Sequence, residues 1–257
     1  MRIRFFICLS VLMLGTLGLA HAGPPLAPLP ICDDVAGWPP YTFADPKNPQ
    51  TVTGASTDLM TGLLRRAGYA PQITLLPWKR CLGAVEAGRA AMLLNASFSE
   101  ERAQKFLVSK PYYSISSALF YSSAKYPVPP KIASLGEMKK YRYCGLLGYN
   151  YTMYDIPPEQ LDTGARDETS RFEMLRMGRC DFVLGDVEII KAFAAMGQLN
   201  LVGIAYVPIP GAKPKEFHAL VSRAWPDGDA LLKRINDGIT ASKADKSFDK
   251  VFKKYGL

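Results

Sequence analysis

Ala91-Met92-Leu93-Leu94-Asn95-Ala96-Ser97-Phe98-Ser99-Glu100-Glu101-Arg102 is the stretch on which the fold turns. It reads as a short apolar strand, then small polar residues, then a helix start. Two residues compete for the cap: Ser97 stands three positions before Glu100, in capping-box spacing, and Ser99 is an equally good N-cap. A strand that runs out in hydroxyls and free helix N–H groups, with a guanidinium one turn further on, suits a carboxylate. The competing reading leaves Arg102 on a solvated first turn, where a cation opposes the helix dipole by a few tenths of a kcal/mol.

The surrounding chain favours the first reading. Upstream, Leu59, Met60, Leu63, Leu64 and Ala67 form one helical stripe, with Ser56 or Thr57 as its expected cap and Gly68 closing it. A strand at Gln72–Leu76 follows, and Pro77-Trp78-Lys79-Arg80 leads into a short helix ending near Gly88. Further upstream, residues 23–30 are a Pro-rich lead-in, and Ile31-Cys32 ends a first strand. Asp33 to Tyr41 then form a loop stiffened by Pro39 and Pro40, holding Trp38 and Tyr41 either as a ligand platform or as a lid on the core. Downstream, Ile115–Ser122 is one β-rich run, and Tyr126-Pro-Val-Pro-Pro130 marks a boundary. The alternation then restarts. Tyr141–Leu147 is strand-like and ends in the polar, aromatic turn Gly148-Tyr149-Asn150-Tyr151-Thr152. Asp155–Arg166 is unpatterned and expected to be irregular. Thr169–Met177 is helical, and the strand Cys180–Leu184 delivers Asp186 at its carboxyl end. Glu188–Met196 is a helix, Leu199–Val207 and Phe217–Ser222 are strands, and Pro226–Ile239 and Lys246–Tyr255 are closing helices. Strands alternating with helices predict an α/β fold with a parallel or mixed sheet. Ligands of such sheets sit beyond strand carboxyl ends, which is where Trp38, Asn95 to Arg102, Gly148 to Thr152 and Asp186 fall.

Composition narrows the function. The chain has 257 residues, 48% hydrophobic and 21% charged, enough for one large or two modest domains. Arg2, Arg4, the apolar run Phe5–Leu19 and Ala20-His21-Ala22 have the form of a cleaved signal peptide over residues 1–22, with Gly23 starting the mature chain. Without that segment Lys+Arg falls from 31 to 29 against 23 acids, a net charge of +6. The basic residues are scattered. The densest run, Lys250–Lys254, lies on an amphipathic helix, so a solvated face explains it better than a nucleic-acid site. One histidine remains, His218, which excludes most histidine-based zinc sites and Ser-His-Asp triads. Four cysteines remain, Cys32, Cys81, Cys144 and Cys180, an even number in an exported chain, with three possible pairings.

Together, Trp38-Pro-Pro-Tyr41, Gly54-x-x-x-Asp58-Leu59, Ser97-Phe-Ser-Glu-Glu-Arg102, Ser109-Lys-Pro-Tyr112, Gly178-Arg-Cys-Asp181 and Phe248-x-x-x-Phe252-Lys-Lys-Tyr255 resemble the family 3 extracellular solute-binding proteins. These are periplasmic proteins that bind polar amino acids for ABC transporters. The resemblance implies two α/β lobes with mixed sheets joined by two hinge strands, the type II periplasmic binding fold. Lobe 1 would span 31–114 plus 218–257 and lobe 2 115–217. Cys32–Cys81 and Cys144–Cys180 would then each stay within one lobe. It also implies that Arg102, helped by Ser97, grips a ligand carboxylate, that Asp186 takes an α-ammonium, and that Trp38 packs on the ligand body. Tyr149, Asn150 and Tyr151 would add contacts from the second lobe. Asn95 and the bulk of Tyr149-Asn150-Tyr151 depart from the smaller residues of many relatives, which bears on side-chain specificity. The implied partners are a small amino acid or related carboxylate and a membrane permease, with no cofactor, metal or nucleic acid and a monomeric state. Two rivals share the fold: a cyclohexadienyl or arogenate dehydratase, with Glu173 or Asp186 as the acid, and a soluble partner that reports ligand to a chemoreceptor or sensor kinase.

Overall fold

The structure is a computed structural model that describes residues 26–257; the expected signal peptide and the start at Gly23 lie outside the described residues. The Pro-rich lead-in turns out to be strand: β1 spans Ala27–Asp34, taking in Pro28 and Pro30. It pairs in parallel with β4 (Tyr69–Leu76) along its length, but with β5 (Met92–Ser97) only at Ile31 and Cys32. The Pro30 carbonyl accepts from the Ala91 amide, so the proline nitrogens face the β5 side, where that strand has not yet begun. No ladder bond is lost there, and the prolines are tolerated.

Between β1 and β4 lie the hairpin β2 (Phe43–Asp45) and β3 (Asn48–Thr53), then helix α1 (Ala55–Arg66). The α1 cap is Gly54, not Ser56 or Thr57. Gly54 sits at φ +127°, and a Cβ there would come within 2.2 Å of the Tyr41 carbonyl oxygen. Both hydroxyls instead serve tertiary contacts, Ser56 to Asn95 and Thr57 to Thr42. Helix α2 (Trp78–Glu86) follows β4, and α3 (Glu100–Lys105) follows β5. Strands β6 (Phe106–Val108), β7 (Tyr113–Ile115) and β13 (Lys215–Ser222) complete the first sheet, in the order β4-β1-β5-β13-β6 with β7 also on β13.

The β-rich run Ile115–Ser122 takes in the end of β7 and the whole of the next strand. After a break at Ser116, β8 (Ser117–Ser122) belongs to a second sheet. That sheet has the order β10-β9-β11-β8-β12, with β9 at Tyr143–Leu146, β10 at Leu161–Ala165, β11 at Phe182–Asp186 and β12 at Ile204–Pro208. Helices α4 (Leu135–Met138), α5 (Glu168–Arg176) and α6 (Val187–Ala195) belong to this part of the chain. The chain crosses back between β12 and β13, and α7 (Gly228–Ala244) and α8 (Ser247–Lys254) end it. Two expectations fail here. Asp155–Arg166 contains the regular strand β10, and β12 starts at Ile204 rather than Leu199. β10 is an edge strand, half-buried, with a register shift against β9, so it needs no alternating apolar pattern.

The structure pairs Cys32 with Cys81, tying β1 to α2, and Cys144 with Cys180, tying β9 to the turn after α5; both have Cα–Cα distances of 5.7 Å. Among the described residues no helix is long and apolar enough to cross a membrane.

Candidate functional site

β5 is buried at every position: Leu93 and Ala96 belong to one apolar cluster with Trp78, Cys81 and Val85 of α2, and Met92 and Leu94 to another with Leu59, Met60 and Leu63 of α1. The carboxyl end of β5 delivers Asn95 and Ser97 to a cleft between the two sheets. The eight residues singled out from the sequence, Trp38, Asn95, Ser97, Arg102, Tyr149, Asn150, Tyr151 and Asp186, all line this cleft.

The two candidate caps divide their work. Ser99 caps α3, its hydroxyl accepting from the Arg102 amide at 3.2 Å. Ser97 remains on the strand and orients the Arg102 side chain. Nη1 donates to the Ser97 carbonyl oxygen at 2.8 Å and to its Oγ at 3.0 Å. The guanidinium also stacks 5.6 Å from the Trp78 ring centroid. Burial lowers the Arg102 pKa to about 10, and the nearby Glu101 only partly offsets it. Glu101 itself pairs with Lys105. Arg102 is thus a largely buried cation, oriented by neutral groups at the cleft wall.

Asn95 is held differently. It adopts φ +55°, a region that asparagine tolerates better than most residues. Its Nδ2 donates to Asp33 Oδ2 at 2.5 Å and to Thr42 Oγ1 at 2.8 Å, while Oδ1 accepts from Ser56, Tyr112 and Tyr113. With its side-chain groups engaged, Asn95 is a buried hub of the cleft wall. Trp38 likewise gives its Nε1–H to Tyr113 Oη at 2.8 Å and presents its ring to Phe217 and Tyr149. Tyr151 Oη accepts from the Leu146 amide, and its ring lies where a side chain at Gly145 would collide with it, at 2.8 Å.

Asp186 ends β11. Its Oδ1 accepts from Ser117 Oγ at 2.6 Å, and its Oδ2 pairs with Lys215 Nζ at 2.6 Å. The Gly148–Thr152 turn also reaches across the cleft: Tyr149 Oη donates to Asp34 Oδ2 at 2.9 Å, and Asn150 Nδ2 to the Phe98 carbonyl oxygen at 2.7 Å. Glu173, the alternative acid, is exposed and lies 3.6 Å from Arg176. His218 is buried, with Nδ1 on the Ser109 carbonyl oxygen.

Several lining residues were not singled out from the sequence. Asp34 ends β1 and Trp78 stands just past the carboxyl end of β4, so the rule that located Asn95 and Asp186 reaches them too. Glu168 and Arg171 form a buried pair on the first turn of α5, and Arg171 also donates to the Leu184 carbonyl at 2.8 Å. Burial alone would lower the Arg171 pKa, and Glu168 opposite carries the net shift upward. Lys215 and Phe217 open β13 at its amino end, where the strand-end rule does not look. Among the described residues no cluster of His, Cys, Asp and Glu could hold a metal ion.

No curated protein matches the chain. Solved structures match its fold at low identity. A histidine kinase sensor domain with similarity to periplasmic binding proteins superposes with a TM-score of 0.74 at 18% identity, over 90% of this chain and 96% of that one. An ABC uptake transporter substrate-binding protein from Streptococcus pneumoniae with bound histidine gives 0.70 at 18%, over 89% and 92%. An ancestral amino acid-binding protein, a precursor of cyclohexadienyl dehydratase, gives 0.69 at 18%, over 89% and 95%. The sequence profile of one family matches residues 34–257, nearly all of the described chain, and the chain therefore belongs to the bacterial extracellular solute-binding proteins, family 3.

Proposed function

We propose that the protein is exported through a cleaved leader and captures a small carboxylate-bearing ligand of amino-acid size in the interlobe cleft. It then delivers the ligand, as a monomer in the periplasm, to the membrane permease of an ABC transporter. The observation that carries this reading is Arg102, a buried guanidinium held in place by Ser97 with no carboxylate partner among the described residues. A buried, planar, bidentate donor is best answered by a carboxylate. Trp38, Tyr149 and Asn150 would close around the ligand body. Residues 31–114 with 218–257, and 115–217, would move as the two lobes. Closure driven by differential binding gives a permease two states to distinguish.

A thermal-shift series of amino acids and simple carboxylates on the purified protein tests this. A ligand raises the melting temperature by mass action. Arg102→Ala should lower affinity at least about tenfold, some 1.4 kcal/mol or more, without changing the far-ultraviolet circular dichroism. A ligand whose shift survived that substitution would place the site elsewhere.

One observation favours the enzymatic rival: Asp33 lines the cleft and burial raises its pKa to about 8, as a general acid near neutrality requires. Both its oxygens, however, already serve the protein, one accepting from the Asp34 amide and the other from Asn95. The acid is built into the wall, and no turnover of prephenate is expected.

A further inference from the structure

Building on the carboxylate-capture reading, we propose that this cleft selects carboxylates that lack a free ammonium group, because Lys215 supplies from within the protein the cation that Asp186 would otherwise take from an amino acid.

The Asp186 carboxylate is engaged on both oxygens, by Ser117 and by Lys215, each at 2.6 Å. The ion pair is desolvated, with side-chain exposures of 12% for Lys215 and 8% for Asp186. The Lys215 ammonium also lies 5.3 Å from the Phe217 ring centroid, a second attraction that holds it where it is. A ligand ammonium arriving at Asp186 would either expel a buried cation or share one carboxylate with it, setting two like charges side by side in a low-dielectric site.

The other acids of the cleft are also answered. Glu168 is paired with Arg171. Asp34 accepts from Tyr149 and the Ala36 amide. Asp33 keeps its proton to about pH 8 because it is buried, and so carries no charge near neutrality. What remains open are donors. Arg102 faces the cleft without a carboxylate, and the buried Trp78 Nε1 and Arg171 Nε, both on side chains lining it, have no hydrogen-bond partner among the described residues. Surplus donors ask for acceptors. An ammonium group brings three more donors, whereas a hydroxyl, keto oxygen or second carboxylate brings what is missing.

The test is calorimetric titration of the purified protein with matched triplets: L-phenylalanine, 3-phenyllactate and 3-phenylpropionate; L-leucine, 2-hydroxyisocaproate and 4-methylpentanoate; L-glutamate, 2-hydroxyglutarate and glutarate. In at least one triplet a member without the amine should bind tenfold or more tighter than the amino acid. Lys215→Met, which keeps the apolar stem and frees Asp186, should erase or reverse that preference, and Lys215→Arg should retain it. Arg102-dependent binding in which the amino acid matches or exceeds its partners would overturn the selectivity while leaving carboxylate capture intact. Binding by no member of any triplet would overturn both. A preference unchanged in Lys215→Met would overturn the assignment to Lys215.

Discussion

A carboxyl group buried as fully as Asp33 couples stability to pH. Its folded pKa is raised from an ordinary value of 3.8 to about 8, chiefly by burial and only partly offset by hydrogen bonds from the Asp34 amide and Asn95. Between those two values the native state holds a proton that the unfolded chain releases. The contribution of this group is therefore complete below about pH 4 and is lost as pH rises through about 8. Asp33→Asn should flatten that part of the stability profile. Urea midpoints measured from pH 5 to 9 check it: the wild-type midpoint should fall with rising pH more steeply than that of the variant, and parallel profiles would assign the slope to another group. The environment behind this effect was only half legible in the sequence. Asn95 stood out because it follows an apolar strand, but its five polar partners come from segments spread between Asp33 and Tyr113, and no local pattern announces such a convergence. Lys215 escaped for the same reason: its partner Asp186 lies 29 residues away on another sheet.

Helices and strands were more legible than residue roles, since periodicity is local. The stripes of α1 and α8 and the apolar run of β5 stand where their patterns put them. The misread elements are those whose stability comes from position in the sheet. β10 holds an edge with little apolar patterning, and β1 accommodates prolines because of where β5 begins. The disulfides tie such elements together. Cys32–Cys81 closes a loop of 49 residues between a strand and the helix that packs beside it. Chain-entropy arguments put such a link at about 4 kcal/mol, with distortion and residual structure in the unfolded chain commonly reducing it. Replacing both cysteines by alanine should therefore cost about 2–4 kcal/mol of unfolding free energy, read as a lower urea midpoint with a steeper slope, because the released unfolded chain exposes more surface. The Cys144–Cys180 pair spans 36 residues, and its removal should cost nearly as much, because the entropy term grows only with the logarithm of loop length.

Across the whole molecule, two strand crossings separate the sheets, and only a few polar contacts bridge the cleft mouth. Tyr149 to Asp34 and Asn150 to the Phe98 carbonyl hold the Gly148–Thr152 turn against the opposite side. Each is one hydrogen bond, worth about 0.5–1.5 kcal/mol net, or more where the acceptor is charged. That is too little to lock an empty cleft shut against the entropy of opening, yet enough to bias a balanced equilibrium. Tyr149→Phe removes the Oη that reaches Asp34 and keeps the ring that packs edge-on against Trp38 and Trp78. It should weaken ligand binding by roughly three- to tenfold, the equivalent of about 1 kcal/mol. The loss should appear as faster dissociation, because the contact forms only once the lobes have met. Stopped-flow displacement combined with small-angle scattering checks this: the variant without ligand should have a larger radius of gyration than the wild type, and saturating ligand should bring the two together. An unchanged dissociation rate would mean that the turn rests on the opposite lobe without holding the cleft closed.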